Sequence, residues 1–262
     1  MLSSRIVFAV AAVLALGGCS HQAAVTAPIA PIQLRSDAPA ILAAIADTRR
    51  PEADRARDVH RHPAETLAFA RIVPGARVAD LLPGGGYFTR LIAVAVGPEG
   101  RVYPTIRPEG LANAYETPIL AVAAEYSNAV VSRTAYDALA YPEALDVVFT
   151  AQNYHDMYLT EYGLGSAAEM NRTAFAALRP GGHYVIIDHA ALAGAPLETD
   201  AQTALHRIDQ ARVRREVEAA GFVFDGESEA LRNPDDARTI NVFDPAIRGR
   251  TDQFMMRFRK PG

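Results

Sequence analysis

Apolar and polar positions along this chain switch repeatedly between a period of two or a short apolar run and a period near 3.6, and the switches mark its elements. Val78 to Leu82 is a short apolar run, broken only by Asp80, that ends in Pro83-Gly84-Gly85-Gly86. From Tyr87 the apolar positions Phe88, Leu91, Ile92, Val94 and Val96 keep to a helix, closed by Gly97-Pro98-Glu99-Gly100. Arg101 to Ile106 reads as a second strand, Leu111 to Tyr126 as a helix, Ala129 to Thr134 as a third strand and Leu145 to Ala151 as a fourth. Ala167 to Leu178 is helical, and Arg179-Pro180-Gly181-Gly182 turns into a fifth strand, Tyr184 to Asp188. A long helix over Ala201 to Ala220 ends at Gly221, a sixth strand starts at Phe222 to Phe224, and Gln253 to Arg259 alternates as a last strand. Ahead of the first strand, Pro39 to Thr48 and Ala64 to Ile72 are helical, separated by a charged stretch broken at Pro63.

Strands alternating with helices imply an α/β domain with a doubly wound, mostly parallel sheet and right-handed crossovers. In such sheets ligands sit beyond the carboxyl ends of the strands. Two strand ends carry chemistry. The first runs strand, glycine turn, helix, the arrangement that brings backbone and helix N–H groups close to a ligand; the alternative is a tight turn with no ligand. Its Asp80 is a carboxylate inside an apolar strand and requires partners. The fourth strand ends in Asn153-Tyr154-His155-Asp156, where His155 is a candidate general base and Asp156 its neighbour, and Asp188-His189 follows the fifth strand on the same sheet edge. Loop-fixing roles for these histidines are the alternative. His206, Arg207 and Asp209 with Arg212 have the spacing of an ion-paired, solvated helix face. Arg61-His62-Pro63 is either a lid over the pocket or a helix break. His155, His189 and His206 with Asp156 would suit a divalent ion, but no H-x-x-x-H or H-E-x-x-H pair on one helix supports it, so no metal is expected. The segment Leu231 to Thr251, too long for a hairpin turn, is expected to be an ordered loop that covers part of the molecule, with Asp244 and Arg248 closing or positioning it.

Composition narrows these options. At 262 residues and 50% apolar content the chain is an ordinary folded globule, and a net charge of -4 offers no basic field for nucleic acid. Lys260 is the only lysine, which excludes a core Schiff-base or general-base lysine. Residues 1–18 have a basic start, an apolar centre and small residues before Cys19, the layout of an export signal. Cys19 is the only cysteine, so the mature domain has no internal disulfide and no thiolate nucleophile. Residues 19–36, rich in Ala, Pro and Thr, read as a flexible tether, and 37–262 as the folded domain.

Leu16-Gly17-Gly18-Cys19 resembles the bacterial lipobox, which implies a lipid on Cys19, attachment to the membrane through that lipid only, and a periplasm-facing place in the cell envelope, at the outer membrane because Ser20 follows. D-L-L-P-G-G-G-Y-F-T-R, L-D-V-V-F-T-A-Q-N-Y-H-D and L-R-P-G-G-H-Y-V-I-I-D, in that order over Arg77 to Lys260, resemble class I S-adenosylmethionine-dependent methyltransferases, and more narrowly a group of exported bacterial predicted methyltransferases. The resemblance implies a Rossmann-like methyltransferase fold with an antiparallel last strand, S-adenosylmethionine as cofactor and a small-molecule acceptor. By position it places Asp80, Pro83, Gly84, Gly85, Gly86, Tyr87 and Thr89 at the methionine end of the cofactor, Asp137 near the adenine, and Asn153 beside the transferring methyl. It places His155, Asp156 and His189 at the chemistry. One departure stands out: the acid that the family carries after the second strand is absent, and Tyr103-Pro104-Thr105-Ile106-Arg107-Pro108 stands there. Two other readings remain open: a non-catalytic envelope lipoprotein that binds a ligand on this fold, and a nucleotide-dependent oxidoreductase with Arg107 near a 2′-phosphate. The latter is opposed by the glycine spacing, whose third position is Thr89.

Overall fold

The computed structural model describes residues 38–110 and 115–262; the signal-like segment, Cys19 and the tether lie outside the described residues. Among the described residues no helix is long and apolar enough to cross a membrane. The strands are β1 (Arg77–Leu81), β2 (Arg101–Ile106), β3 (Ser132–Arg133), β4 (Leu145–Ala151), β5 (Leu178–His189), β6 (Val223–Ser228) and β7 (Gln253–Arg259). The helices are α1 (Ala38–Ala46), α2 (Glu52–Arg55), α3 (Asp58–Arg61), α4 (Pro63–Phe69), α5 (Tyr87–Val96), α6 (Glu116–Glu125), α7 (Ala167–Ala177) and α8 (Gln210–Ala219).

One sheet holds all seven strands in the order β3-β2-β1-β4-β5-β7-β6. The first five are parallel, and β7 runs antiparallel between β5 and β6. β1 is bonded on both edges and covered on both faces, which is why it reads as an apolar run rather than an alternation. β7 alternates visibly: Phe254, Met256 and Phe258 join the core under α7 and α8, while Met255 joins the one under α1, α4 and α5. Strand order reverses between β1 and β4, so the loops after these two strands diverge and leave a crevice at the carboxyl edge.

Several boundaries differ from the sequence pattern, each for a local reason. The third strand is reduced to Ser132–Arg133, with an isolated bridge from Ala129 to Val102. Arg179-Pro180-Gly181-Gly182 does not precede β5 but is looped out within it, as the pairing with β4 jumps from Leu145↔Leu178 to Val147↔His183. The largest correction is the long helix. It begins only at Gln210, where the Asp209 carboxylate accepts from the Ala211 N–H at 3.0 Å as an N-cap. Upstream, His206 has a left-handed φ of 57° and Arg207 is buried, so the ion-paired, solvated face expected there does not form. Arg212 pairs with Glu216 instead.

Candidate functional site

The first side of the crevice is the β1–α5 loop. Leu82 (φ 50°), Gly84 (φ 55°) and Gly86 (φ 84°) are all left-handed, which turns the chain sharply from strand to helix. At Gly86 a Cβ would meet Val122 at 2.8 Å, so this glycine is needed for packing. Gly85 differs: its backbone is ordinary, and a Cβ there meets nothing within 4 Å. The loop thus presents open space where a ligand can approach the backbone. It is held from behind by Arg90, which donates to the Gly85 carbonyl at 2.8 Å and pairs with Asp54 at 2.9 Å.

Asp80 ends β1 under this loop. It is buried, and its hydrogen-bond donor among the described residues is the Thr89 hydroxyl at 2.6 Å. Burial dominates and pushes the carboxyl up to about 7, against the Thr89 hydrogen bond and the charge of Arg61. Thr89 therefore orients Asp80 rather than facing the crevice. Tyr87 also faces inward: its hydroxyl donates to Asp58 at 2.5 Å, and Asp58 is paired with buried Arg50, a network that fastens α3 to α5. Both side chains thus support the loop from the protein side.

Arg61, at the end of α3, reaches across to Gln152 at 2.5 Å, and Gln152 in turn donates to Gln253 at 2.9 Å. Its guanidinium lies 4.8 Å from the Tyr87 ring centre and 5.3 Å from that of Phe88. Burial, reinforced by Arg57, lowers its pKa to about 9. Asn153, just past β4, spends its amide protons on Leu82 O (3.0 Å) and Ala151 O (2.6 Å), and so ties the β4 end to the β1 loop.

On the far side, Arg107 follows β2 and donates to the carbonyls of Tyr162 and Gly163, both at 2.8 Å. A cavity of about 120 Å³ opens there, lined by Arg107, Tyr136, Asp137, Leu164 and Gly165. Asp137 is thus on a cavity wall. Gly165 (φ 94°) presses on it: a Cβ would come within 2.2 Å of the Asp137 carboxylate.

The histidines converge on the other half of the crevice. His155 and His189 have ring centres 5.9 Å apart, and His206 joins at 5.4 Å from His155. His155 Nδ1 is 2.8 Å from Asp188 Oδ1, and its Nε2 is 3.0 Å from Asp156 Oδ1. Burial opposes the charged ring, but Asp188 and Asp156 together outweigh it and hold its pKa up to about 10. The two carboxylates thus favour the protonated ring, which opposes a general-base role for His155. Asp156 is shifted down: burial would raise it, and the bonds from His155 and His206 overcome this. His189 is the opposite case: burial first, then the charge of His155, keeps its ring neutral, and Nδ1 is 2.7 Å from Thr251 Oγ1. Asp244 and Arg248 do not close the site. Both are exposed, and the 231–251 loop is pinned instead by the buried pair Arg207–Asp236 at 2.8 Å.

Sequence reasoning missed Gln152, Gln253, Thr251 and the role of Arg90. Arg90 and Gln152 lie inside quoted motifs and Thr251 and Gln253 outside them, and only contact across the fold shows what each holds.

The sheet order, with β7 inserted antiparallel between β5 and β6, and the glycine loop at the switch point make a Rossmann-like fold, which solved methyltransferase structures also have. No family model matches the chain. No curated protein matches it either. Among solved structures, an S-adenosylmethionine-dependent methyltransferase from Aquifex aeolicus is similar with a TM-score of 0.53 and 17% identity, over 75% of this chain and 88% of that one. One from Mesorhizobium loti has a TM-score of 0.53 and 19% identity, over 78% and 99%. The [4+2]-cyclase SpnF has a TM-score of 0.54 and 16% identity, over 86% and 93%. The chain shares its fold with all three.

Proposed function

We propose that this protein is an S-adenosylmethionine-dependent methyltransferase acting on a small acceptor. The observation that carries the reading is the β1–α5 loop, where open space at Gly85 lies beside a buried, sparsely bonded carboxylate, Asp80. These residues fit the cofactor: the loop admits its methionine part, Asp80 answers a cationic amine, and the cavity at Tyr136 and Asp137 suits a flat, polar ring. Bound there, it would supply a methyl group already activated by a sulfonium. The chain's own task is then positioning. Asn153 fixes the β1 loop against β4, Arg61 and Gln152 wall the crevice, and alignment of donor and acceptor supplies most of the rate. His189, held neutral, is the imidazole able to take a proton from the acceptor.

One observation favours a second reading, a non-catalytic binding module. Arg107 stands where an acid is expected for the ribose hydroxyls, and its guanidinium is engaged by the Tyr162–Gly163 backbone. Calorimetric titration with S-adenosylmethionine, S-adenosylhomocysteine and the nicotinamide cofactors separates the readings. Binding of the first two alone, followed by methyl transfer to trial acceptors, is the expected result; binding of a nicotinamide cofactor instead overturns it.

Gly85→Val is expected to lower donor affinity at least tenfold with Tm unchanged within about 2 °C, because the branched side chain enters ligand space through a Cβ that meets no protein atom within 4 Å. Unchanged affinity would make the loop a turn only. The envelope assignment is a proposal of the same kind: the Leu16-to-Cys19 motif supports a lipoprotein anchored through Cys19 and facing the periplasm, at the outer membrane. Mass spectrometry of the membrane fraction is expected to show a mature chain starting at lipidated Cys19, and any other start rejects it.

A further inference from the structure

We propose that His155, Asp156 and His206 bind one divalent transition-metal ion of the zinc class. The three ligand atoms, His155 Nε2, Asp156 Oδ1 and His206 Nδ1, lie 3.0, 3.3 and 3.6 Å from one another. Ligand atoms held about 2.0–2.1 Å from a tetrahedral ion are separated by about 3.3–3.4 Å, so the triangle has the size of one face of such a shell.

His155 Nε2 and His206 Nδ1 both turn toward Asp156 Oδ1 and toward each other, so the three ligand atoms face a common point. A cation at the common point answers all three. The outer shell is in place as well: Asp188 accepts from the opposite nitrogen of His155 at 2.8 Å and from its backbone N–H at 2.8 Å, which fixes the ring with Nε2 turned inward. His206 is held in its left-handed backbone conformation by its neighbour Arg207, buried on Asp236, and by the edge of Phe243 at 4.9 Å.

Two imidazoles and one carboxylate select a borderline transition ion over calcium or magnesium. Three protein ligands leave one position for a water or an acceptor oxygen, and a cavity of about 10 Å³ bordered by His155, Tyr158, Glu198 and Arg207 adjoins the cluster. Binding would displace the proton that His155 Nε2 otherwise holds, so uptake releases protons. His155 and Asp156 follow β4, and His206 is brought to the end of β5 by the Ala190↔Ile208 bridge; none of the three belongs to the glycine loop, and the inference stands whether or not the donor reading does.

The test is titration of the chelator-stripped full chain with Zn²⁺ by calorimetry and with Co²⁺ by visible absorption. One equivalent is expected, with the intense bands of a tetrahedral cobalt site. Asp156→Asn and His206→Gln, each checked for native near-ultraviolet circular dichroism, should lose at least 100-fold in affinity. Asp188→Asn, which acts through His155, should lose about 10- to 100-fold and keep the cobalt bands. His62→Gln, outside the cluster, should bind as the parent does. No saturable binding by the parent, or undiminished affinity in folded Asp156→Asn, overturns the proposal. If His206→Gln does not fold, Asp156→Asn decides alone.

Discussion

An Asp80→Asn variant is expected to melt higher than the parent at pH 8 and to bind the proposed donor at least tenfold more weakly. Asp80 is buried with one hydroxyl donor, and burial lifts its pKa to about 7 from an unfolded value of 3.8. Between these values the folded chain holds a proton that the unfolded chain has lost. Stability is therefore highest on the acid side, falls as pH rises from about 4 to 7, and stays low above that. At about 1.4 kcal/mol per unit, the ionised carboxylate costs the native state on the order of 4 kcal/mol at pH 8. Asparagine keeps an acceptor for Thr89 without the charge, so a Tm gain of about 3–8 °C is expected at pH 8 and little change near pH 4. The same titration predicts weaker donor binding by the parent below about pH 7, a dependence absent from the variant. A Tm at pH 8 no higher than the parent's sinks the burial argument, and unchanged donor affinity removes Asp80 from the site.

The second large effect concerns the loop over the histidines. Asp236→Ala is expected to destabilise the domain by about 3–5 kcal/mol, because it strands a buried guanidinium. Arg207 and Asp236 have side chains 1% and 2% exposed and share two bonds, at 2.8 and 3.2 Å. Arg207 also donates to Ala190 O and Ile240 O, each at 3.1 Å, and Asp236 accepts from the backbone N–H groups of Arg238 and Asp252. Burial works against the Asp236 charge, but those N–H donors and Arg207 hold its pKa below the usual carboxylate range. The exposed Asp244→Ala, on the same loop, is expected to cost under about 1 kcal/mol. Urea melts of both variants measure the contrast; a loss below 1 kcal/mol in Asp236→Ala would show that the loop is held by other contacts.

The long helix shows where sequence pattern stops being informative. Ala201 to Ala220 has helical periodicity, and a local reading places His206, Arg207 and Asp209 on its solvated face. The fold instead buries Arg207 against Asp236, and that pair overrides the weak local preference of residues 201–209. His155 shows the same limit for chemistry. Its position at a strand end marks it as a site residue, but its protonation depends on Asp188, which is 33 residues away in sequence. Tyr87 and Thr89 sit inside the glycine motif, yet their side chains turn to Asp58 and Asp80 because α5 packs that face inward.

By itself the sequence determined the alternation of strands and helices, the mostly parallel sheet, the glycine turn at its switch point and the two strand ends that carry polar residues. These are local properties, set by apolar period and by the backbone freedom of glycine, so they are legible without knowing what packs on what. Only the tertiary structure decided that two carboxylates flank His155 while burial disfavours a proton on His189, that His155, Asp156 and His206 meet at one point, and that Arg207 is buried. Each depends on contacts between segments far apart in the chain, and burial and neighbouring charge at those contacts fix which groups hold protons or accept a metal.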